Sequence, residues 1–485
     1  MQTHWSTSSR RAGGTDLHLE VGPGGRRSSI EEALRGAIRE GRLATGTRVP
    51  STRVLASDLS VARGTVTEAY DQLVAEGWLT ARQGSGTVVA WAGDHRPNGH
   101  AAARTAATPA RHDFRPGSPD VSSFPRREWL AAVRKSLRTM PDADLRYGDP
   151  RGLLRAREAL SSYLARARGV RSDPDRLVIC SGFVQALALL TATLRREGAA
   201  VVAMENPCMN AYRTVAARAE LSIRFLDVDD DGADPTPLAR ARASGGQGWG
   251  DVAAVLLTPA HQYPTGTTLA PDRRAAFVDW ARHHGRIVIE DDYDGEHRYD
   301  RQPVGALQGM DADHVVYVGT ASKSLAPGLR LGWMVLPADL VDPVASAKEL
   351  ADRQSGVIEQ SALAELITSG GLDRHIRRNR LRYRRRRDDL VAALGTVPAI
   401  RVRGIAAGLH AVVDLPDDGP AEADVVASLA AAGVVVHGLG GYWHRPRSRR
   451  PGIVVGFGTP AEHAFPAALA ALTDALRRAV AGSLP

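Results

Sequence analysis

Residues 315–331 are VVYVGTASKSLAPGLRL, an apolar run followed at once by a loop rich in serine and glycine. The apolar run predicts a buried strand, and the loop places Lys323 just beyond the carboxyl end of that strand. The chain of 485 residues has 62 basic side chains, of which only Lys135, Lys323 and Lys348 are lysines. Because an amine can lose its proton whereas a guanidinium effectively never does, Lys323 is predicted to form a Schiff base.

The other two lysines illustrate the alternative for Lys323, an ordinary loop lysine near the start of a helix. Lys135 lies in EWLAAVRKSLR and Lys348 in PVASAKELADR, and both patterns are amphipathic. They predict helices whose lysines face solvent. The choice for Lys323 therefore depends on its neighbours.

Five apolar segments alternate with long helical patterns, and Lys323 follows the last of them. The segments RLVICSG, AAVVAMENP, VAAVLLTPA, GRIVIEDDYD and HVVYVGTASK begin at residues 176, 199, 252, 285 and 314. This alternation predicts an α/β domain with a mostly parallel sheet covered by helices. Ligands of such sheets bind at the carboxyl ends of the strands, where each of these segments turns polar.

The polar residues after these strands combine a helix start suited to phosphate, a carboxylate, a phenol, the lysine and an arginine. They are Ser181, Gly182, Phe183, Asp291, Tyr293, Ser322, Lys323 and Arg330. Together they are the parts of a pyridoxal phosphate site. The alternative for Arg330 is an ordinary surface arginine, and Glu290 or Asp292 competes with Asp291 for the pyridine nitrogen.

The N-terminal segment predicts a winged helix-turn-helix. SSIEEALRGAIREGRL predicts a first helix, with Ser28 and Glu31 at capping-box spacing, and PSTRVLASDLSVARGTVTEAYDQLVAEG predicts two more joined by a tight turn. WLTARQGSGTVVAW then predicts a hairpin. The second helix of such a unit enters the major groove of DNA. The alternative is a small helical domain with solvated arginines.

This segment resembles the GntR family in three motifs, PSTRVLA, TVTEAYDQLVAEG and the wing GSGT. The resemblance implies DNA binding, and Ala62 departs from it because a serine is common there. The DNA-binding candidates lie at the two helix starts and in the wing: Ser51, Arg53, Arg63, Thr65, Thr67 and Gly86. Residues 1–112 hold 14 arginines and 10 acidic residues, and the resulting charge of +4 is half of the net charge of +8.

The chain is predicted to be multidomain, with the winged helix-turn-helix at residues 1–91. Residues 92–112 have no apolar periodicity and are rich in Ala, Arg, Gly and Pro, which predicts a flexible linker. The α/β domain and a small C-terminal α+β subdomain follow at 113–485. No secretory leader or membrane span is recognisable, and two cysteines cannot build a disulfide scaffold, so a cytoplasmic protein is expected.

The large domain resembles fold-type I aminotransferases in the form fused to GntR-type domains, the MocR-type transcriptional regulators. The motifs are FRPGSPD, YGDPRG, SGFVQA, TPAHQYPTG, EDDYDGE and GTASKSLAPGLRLGW. The resemblance implies that Lys323 carries pyridoxal phosphate, that Asp291 pairs with the pyridine nitrogen and that Tyr293 bonds the phenolic oxygen. It also implies a homodimer in which Tyr147 reaches the partner's phosphate; a packed core tyrosine is the alternative.

Two features depart from the family pattern or stand outside it. Met209 occupies the place of the usual stacking tyrosine, and its neighbour Cys208 is either an inert small residue or a reactive thiol. The segment 374–389 holds nine arginines, which predicts a solvated helix or an accessory contact to DNA. A substrate-carboxylate arginine is implied near the last strand, with Arg449 and Arg450 as candidates.

The predicted function is that of a transcriptional regulator that binds operator DNA and senses pyridoxal phosphate or an amine reacting with it. It would control vitamin B6 or amino-acid metabolism genes. One rival is a working aminotransferase with an accessory DNA-binding domain, although Met209 argues against brisk turnover. The other rival is a regulator that has lost its cofactor, which the lysine, the carboxylate and the phosphate cradle oppose. No metal is expected.

Overall fold

The computed structural model describes residues 27–82, 86–90, 111–244, 248–299, 304–404, 407–444 and 450–481, and two short strands at 4–6 and 17–19. The chain forms two compact units, Met1–Thr108 and Pro109–Pro485. Apart from residues 111 and 112, the predicted linker lies outside the described residues.

The N-terminal unit is built from three helices and a hairpin. Its elements are β1 (His4–Ser6), β2 (Leu17–Leu19), α1 (Arg27–Arg39), α2 (Thr52–Asp58), α3 (Arg63–Ala75), β3 (Leu79–Arg82) and β4 (Gly86–Val89). Strand β1 pairs with β2, and β3 pairs with β4, both antiparallel. Ile30, Leu55, Val66 and Leu73 are fully buried where the helices meet. These elements form the winged helix-turn-helix that the sequence predicts.

The predicted capping box of the first helix is wrong. The helix already includes Arg27, so Ser28 lies inside it rather than at its cap. Glu31 instead binds arginines one turn away on either side, at 2.6 Å from Arg27 and 3.2 Å from Arg35. Ion pairs at this spacing support the helix by a few tenths of a kcal/mol, about 0.2–0.5 each.

The large unit is organised around an eight-stranded sheet in the order β6-β13-β12-β11-β10-β7-β8-β9. The strands are β6 (Leu177–Cys180), β7 (Val201–Asn206), β8 (Ser222–Asp229), β9 (Gly232–Ala233), β10 (Val252–Leu257), β11 (Ile287–Asp292), β12 (Val315–Thr320) and β13 (Gly332–Val335). The five central strands β12, β11, β10, β7 and β8 are parallel, whereas β13 is antiparallel to both of its neighbours. Strands β7, β10 and β12 are buried along their whole length, as expected of a sheet covered on both faces.

Helices cover the two faces of this sheet. They are α4 (Arg126–Thr139), α5 (Leu154–Arg168), α6 (Phe183–Arg196), α7 (Asn210–Arg218), α8 (Thr236–Ser244), α9 (Pro271–His284), α10 (Ala338–Asp352), α11 (Val357–Thr368) and α12 (Gly371–Leu394). Alternate residues of one strand enter different cores: Val178 packs with α6 and α10, and Ile179 packs with α5 and α11. The sheet thus has an apolar core on each face.

A smaller subdomain completes the large unit. Its strands β14 (Arg401–Arg403), β15 (Ala411–Asp414), β17 (His437–Gly438) and β18 (Gly452–Val455) form an antiparallel sheet that packs with α13 (Glu422–Ala431) and α14 (Phe465–Ala481). Strand β5 (His112–Asp113) pairs in parallel with β16 (Val434–Val435), so the start of the unit joins its end. Among the described helices, each is too short or too polar to span a lipid bilayer.

Candidate functional site

A cavity of about 1080 Å³ opens at the carboxyl ends of the parallel strands. Lys323 and Ser322 reach it from the loop after β12, Tyr293 from the end of β11, and Phe183 from the start of α6. Residues of the small subdomain, including His410, close its other side. The topology therefore brings together side chains that are more than a hundred residues apart in sequence.

Lys323 lies at the centre of this cavity with its amine held by the backbone. Its Nζ donates a hydrogen bond of 2.5 Å to the carbonyl oxygen of Gly117. Burial lowers the pKa of the lysine amine, and the carboxylates of Asp294 and Asp291 oppose part of that effect. A lowered pKa increases the neutral fraction of the amine, which is the form that attacks a carbonyl carbon.

Asp291 differs sharply from the two carboxylates beside it. Tyr212 donates a hydrogen bond of 2.7 Å to Oδ2 of Asp291, whereas Oδ1 is buried and has no partner among the described residues. Asp292 points to the other face and pairs with Arg168 at 2.6 Å. Glu290 accepts two backbone N–H groups, at 2.7 and 3.0 Å. Of the three, only Asp291 keeps an unpartnered buried oxygen.

This orphan oxygen also explains the electrostatics of Asp291. Burial raises the pKa of its carboxyl well above the usual value, and the Tyr212 hydrogen bond opposes that shift only in part. A buried carboxylate needs a cationic or hydrogen-bonding partner. A protonated pyridine nitrogen would be such a partner. Tyr212 was not predicted as a site residue. It lies three residues after Met209, and no apolar pattern in the sequence distinguishes it.

Tyr293 belongs to a buried polar network. Its hydroxyl lies 3.0 Å from Nδ1 of His261, and the same nitrogen is 2.9 Å from Oδ2 of Asp294. His410 makes a 3.1 Å hydrogen bond to the carbonyl oxygen of Pro264 through Nε2. His261, Asp294 and His410 offer ligand atoms within 4.8 Å of one another and could hold a metal ion. The hydrogen bonds that His261 makes to Asp294 and Tyr293 favour a role in orienting Tyr293.

The loop between β6 and α6 forms a cradle at a helix N-terminus. Gly182 has a φ of +89°, and a Cβ atom there would lie 3.2 Å from Nη2 of Arg330. The guanidinium of Arg330 donates a hydrogen bond to the carbonyl oxygen of Ser181. Glycine thus permits the close approach of an arginine to the first turn of α6, and the two together suit a phosphate group.

Gln185 and Lys348 support this cradle from behind. The backbone N–H of Ser181 donates to Oε1 of Gln185 at 2.6 Å, and Nε2 of Gln185 donates to Asp352 at 2.6 Å. Lys348 is fully buried and pairs with Asp352 at 2.8 Å. The prediction of a solvated Lys348 is therefore wrong, because its side chain is buried and its ammonium group pairs with the partly exposed carboxylate of Asp352. Lys135 is 63% exposed at the side chain and pairs with Glu365, as a solvated lysine should.

Tyr147 lies outside the cavity, on the surface. Its side chain is 81% exposed, so the alternative of a packed core tyrosine is wrong. The guanidinium of Arg353 lies 5.2 Å from the centre of its ring, and Gln354 accepts the backbone N–H of Gly148 at 2.6 Å. The turn after α10 thus holds the Tyr147 loop.

The remaining predicted cofactor contacts lie on the cavity wall. Met209 lines it as the residue before α7, and Ser322 is buried with its hydroxyl 2.8 Å from that of Thr320. The aromatic rings that line the cavity beside Met209 are Tyr212, Tyr263, Tyr293 and Tyr442. Burial raises the pKa of the Cys208 thiol to about 12, so the thiolate is suppressed and the inert interpretation is favoured.

The structure does not bring Arg450, one of the two predicted effector arginines, to the cavity. Arg450 is exposed ahead of β18 and does not line it, and Arg449 lies outside the described residues. Arg115, which the sequence analysis did not select, lines the cavity and forms an ion pair of 2.6 Å with Asp113. The motif FRPGSPD contains it, but nothing in that motif indicates which way the side chain points.

The predicted DNA contacts lie on α2, on α3 and in the wing. Ser51 caps α2 by accepting the N–H of Val54 at 3.3 Å, and Arg53 follows it, exposed. At the start of α3 Arg63 is exposed, and Nε of Arg63 lies 3.4 Å from the hydroxyl of Thr52. Ala62 gives α3 no side-chain cap. The N–H of Thr65 donates to the carbonyl oxygen of Ala62 at 3.1 Å, which leaves the N–H groups of Arg63 and Gly64 to an acceptor such as a phosphate.

Three further candidates complete this surface. Thr67 is exposed and its hydroxyl donates to the carbonyl oxygen of Arg63 at 3.0 Å, whereas Thr65 is half-buried. Gly86 starts the second wing strand with a φ of +85°, and a Cβ atom there would lie 2.7 Å from Nε of Arg48. The wing therefore requires glycine, and it brings Arg48 beside the hairpin.

Pyridoxal phosphate, the cofactor of the aminotransferase fold, suits the residues of the cavity. Lys323 would hold its aldehyde carbon, Asp291 its ring nitrogen, Tyr293 its phenolic oxygen, and the Gly182–Arg330 cradle its phosphate. The unpartnered oxygen of Asp291 is the observation that discriminates, because a buried carboxylate oxygen without a partner is costly in a closed structure. When bound, the cofactor supplies an electron sink conjugated to an amine.

Two family models match the chain. Residues 26–89 match the model "Bacterial regulatory proteins, gntR family", and residues 119–444 match "Aminotransferase class I and II". The pyridoxine biosynthesis transcriptional regulator PdxR of Corynebacterium glutamicum is 32% identical over 93% of this chain and 95% of its own length. The probable rhizopine catabolism regulatory protein MocR of Rhizobium meliloti is 31% identical over 75% and 76%.

A similar solved structure is the kynurenine aminotransferase of Pyrococcus horikoshii. It is 26% identical, with a TM-score of 0.67, and the match covers 76% of this chain and 90% of that one. The aspartate aminotransferase of Thermus thermophilus, at 21% identity and a TM-score of 0.65, shows the same fold. The α/β sheet and the small subdomain predicted from the sequence are thus confirmed as an aminotransferase fold.

Proposed function

We propose that ligand binding in the cavity changes the affinity of this protein for operator DNA. The chain belongs to the MocR-type helix-turn-helix transcriptional regulators, in which a gntR-family domain is joined to an aminotransferase class I and II domain. Pyridoxal phosphate on Lys323, or an amine or amino acid reacting with it there, is the signal. The winged helix-turn-helix of residues 1–91 binds the operator, and residues 92–112 link it to the effector domain at 113–485.

The observation that supports this proposal is that one chain holds residues suited to a cofactor and residues suited to DNA. The cavity has a half-buried amine, a carboxylate oxygen without a partner among the described residues, and an arginine-glycine cradle. The N-terminal unit has exposed arginines at the starts of two helices. A ligand that binds two conformations of the large unit unequally would shift how the DNA-reading units are held.

The cavity has room for an effector beyond the cofactor. Its volume of about 1080 Å³ is at the upper end for a site that holds a small ligand. Arg115, in its wall, is our candidate for the carboxylate of an amino acid, and Arg450 is the weaker one. Because a relative is named for pyridoxine biosynthesis, we propose that the regulated genes serve vitamin B6 or amino-acid metabolism.

We further propose a cytoplasmic homodimer. Tyr147 is 81% exposed yet positioned by Arg353 and Gln354, as expected of a residue that completes a site on a second subunit. Two DNA-reading units in one dimer would require an operator with two half-sites. The two buried, free cysteines suit a reducing compartment.

A working aminotransferase is the second candidate, because Lys323, Asp291 and the cradle have the arrangement that such chemistry needs. Met209 opposes it, since a flexible thioether in place of a stacking ring holds the cofactor plane less firmly. We therefore expect slow transamination at best.

Operator titrations with and without pyridoxal phosphate separate the two. A regulator must show a several-fold change in operator affinity, typically about 1–3 kcal/mol, and DNA must change cofactor affinity by the same factor. Lys323→Ala should abolish the change, whereas Lys135→Ala should preserve it. Equal operator affinity in all states, together with rapid transamination, would overturn the regulator and favour the enzyme.

A further inference from the structure

Helix α12 presents a row of arginines that the fold does not use. We propose that Arg377, Arg378, Arg384 and Arg385, called here the basic face of α12, bind the phosphate backbone of DNA that flanks the operator. This inference rests on the proposed function, because it assumes that the chain binds operator DNA. It adds a second DNA-contacting surface, on the large unit.

Other arginines of the same helix are structural. Arg386 is buried and binds Asp120 at 3.0 Å and Glu462 at 2.7 Å. Arg382 also binds Glu462, at 3.2 Å. Arg380 donates from Nε to the carbonyl oxygen of Glu296 at 2.9 Å. Packing and ion pairing therefore account for these three arginines.

The basic face has no such partners. Its four arginines are exposed, and within the described part of the chain none of them has a hydrogen bond or an ion pair. The residues are spaced by one and by seven positions, which places them within a sector of about 120° and about two turns, roughly 12 Å, along the helix. Leu381 lies in the middle of this sector and is 60% exposed, so no other described element covers it.

Acidic groups do not neutralise this face. Asp373, near the start of the helix, pairs with Arg166 at 2.8 Å. Asp388, within the same helix and one turn after Arg384 and Arg385, lies 3.6 Å from Arg387. Asp389 is exposed beside it and makes no ion pair with the basic face among the described residues. Four guanidinium groups close together repel one another, and a linear polyanion relieves that repulsion.

DNA is the polyanion that this chain meets at high local concentration. Once the winged helix holds an operator, the flanking duplex is tethered near the large unit, and weak contacts gain from that effective concentration. Guanidinium groups bind phosphates through two hydrogen bonds, and displaced counterions add a salt-dependent free energy. A row of arginines on a helix matches a backbone but carries no base specificity.

The test compares two full-length variants with equal loss of charge. One replaces the four arginines of the basic face by glutamine. The control replaces four other exposed helix arginines of the large unit by glutamine, namely Arg195, Arg196, Arg218 and Arg282. Each is titrated, at several salt concentrations, against the operator as a short duplex and against the operator with long flanks. The operator is selected from random DNA by the purified protein.

We expect the basic-face variant to lose about tenfold in affinity for the flanked operator, and its salt slope to fall by roughly 3–4. Its affinity for the short duplex and its cofactor absorbance should equal those of the control. Equal loss in both variants, or none in either, overturns the proposal. Loss of binding to vesicles of phosphatidylserine, with flanked DNA unaffected, would assign the face to a membrane instead.

The outcome is separable from that of the proposed function. If pyridoxal phosphate fails to change operator affinity while the flank effect persists, the sensing proposal fails and the second DNA surface stands. If Arg63→Ala leaves sequence-specific binding intact, the operator-binding site is wrong whatever the flanks do.

Discussion

Asp291 and Asp292 are adjacent on one strand, yet the fold gives them opposite chemistry. The side chains of β11 alternate between faces, so Asp292 meets Arg168 in the interior while Asp291 meets Tyr212 and keeps one oxygen unpartnered. This alternation separates a structural carboxylate from a ligand-binding one. The sequence alone leaves the choice among Glu290, Asp291 and Asp292 open, because the register of the strand decides which of them faces the cavity.

Replacing these carboxylates should give two distinct phenotypes. Asp291→Asn should lower pyridoxal phosphate affinity at least tenfold and leave thermal stability nearly unchanged, because only an unpartnered oxygen is lost. Asp292→Asn should instead lower stability by about 3 kcal/mol, since it leaves Arg168 buried without its partner. Equilibrium dialysis and thermal unfolding measure the two. Similar losses of affinity in both variants would contradict the assignment.

The pH dependence of cofactor uptake should report on Lys323. Burial lowers its pKa from the usual 10.5, so the neutral amine forms at lower pH than in a free lysine side chain. The rate of Schiff-base formation should rise with pH and level off below 10.5, whereas N-acetyl-lysine should still be rising there. Stopped-flow absorbance on the cofactor-free protein measures both. If the rate levels off at a pH no lower than it does for N-acetyl-lysine, the reacting amine is not Lys323.

At this scale the sequence predicts chemistry better than location. Lys323 could be selected because this chain uses arginine almost everywhere else, and only an amine can lose its proton to form a Schiff base. Lys348 was wrongly predicted to face solvent, since its amphipathic pattern does not reveal that its side chain is buried and pairs with Asp352. Arg115 escaped notice because its role depends on which way the side chain turns.

Among the elements, α6 and α10 act together behind the phosphate cradle. The N-terminus of α6 is fixed by Gln185, which is bound to Asp352 near the end of α10, which in turn is bound to Lys348. The backbone of the cradle therefore depends on an ion pair one helix away.

Breaking that ion pair should loosen the cradle. Lys348→Met should reduce the free energy of unfolding by about 1–3 kcal/mol, which is less than for a fully buried pair because Asp352 is partly exposed. It should also weaken pyridoxal phosphate binding more than pyridoxal binding. Lys135→Met removes an exposed lysine of the same length and should change neither. Equal effects on the two ligands would mean that the pair stabilises the fold without shaping the cradle.

Elements with continuous buried runs were predictable, and irregular ones were not. Strands β7, β10 and β12 are apolar throughout and stood out in the sequence. The strand β13 (GWMV) is antiparallel in the sheet, and no local signal distinguishes it from a parallel neighbour. Its direction follows from the hairpin-like return of the chain through the Lys323 loop.

For the whole molecule, the pairing of β5 with β16 means that the large unit needs both of its ends. Phe114 is fully buried in the core of the small subdomain, and Gly117 holds Lys323. Removing residues 432–485 should therefore abolish cofactor binding while leaving α1–α3 and the wing folded. Cofactor absorbance and low-salt DNA binding of the truncated chain would check this. Retained absorbance would show that the C-terminal pairing is dispensable.

The same long-range pairings set an order of events during synthesis. The winged unit closes within the first ninety residues, so it can fold as soon as it leaves the ribosome. The cradle cannot form until Arg330 has been synthesised, about 150 residues after Gly182. The cavity also needs His437 and Tyr442, which are synthesised later still. A nascent chain thus has a DNA-reading head before it has a ligand pocket. Under the proposed function, ligand control of DNA binding would therefore begin only when nearly the whole chain has been made.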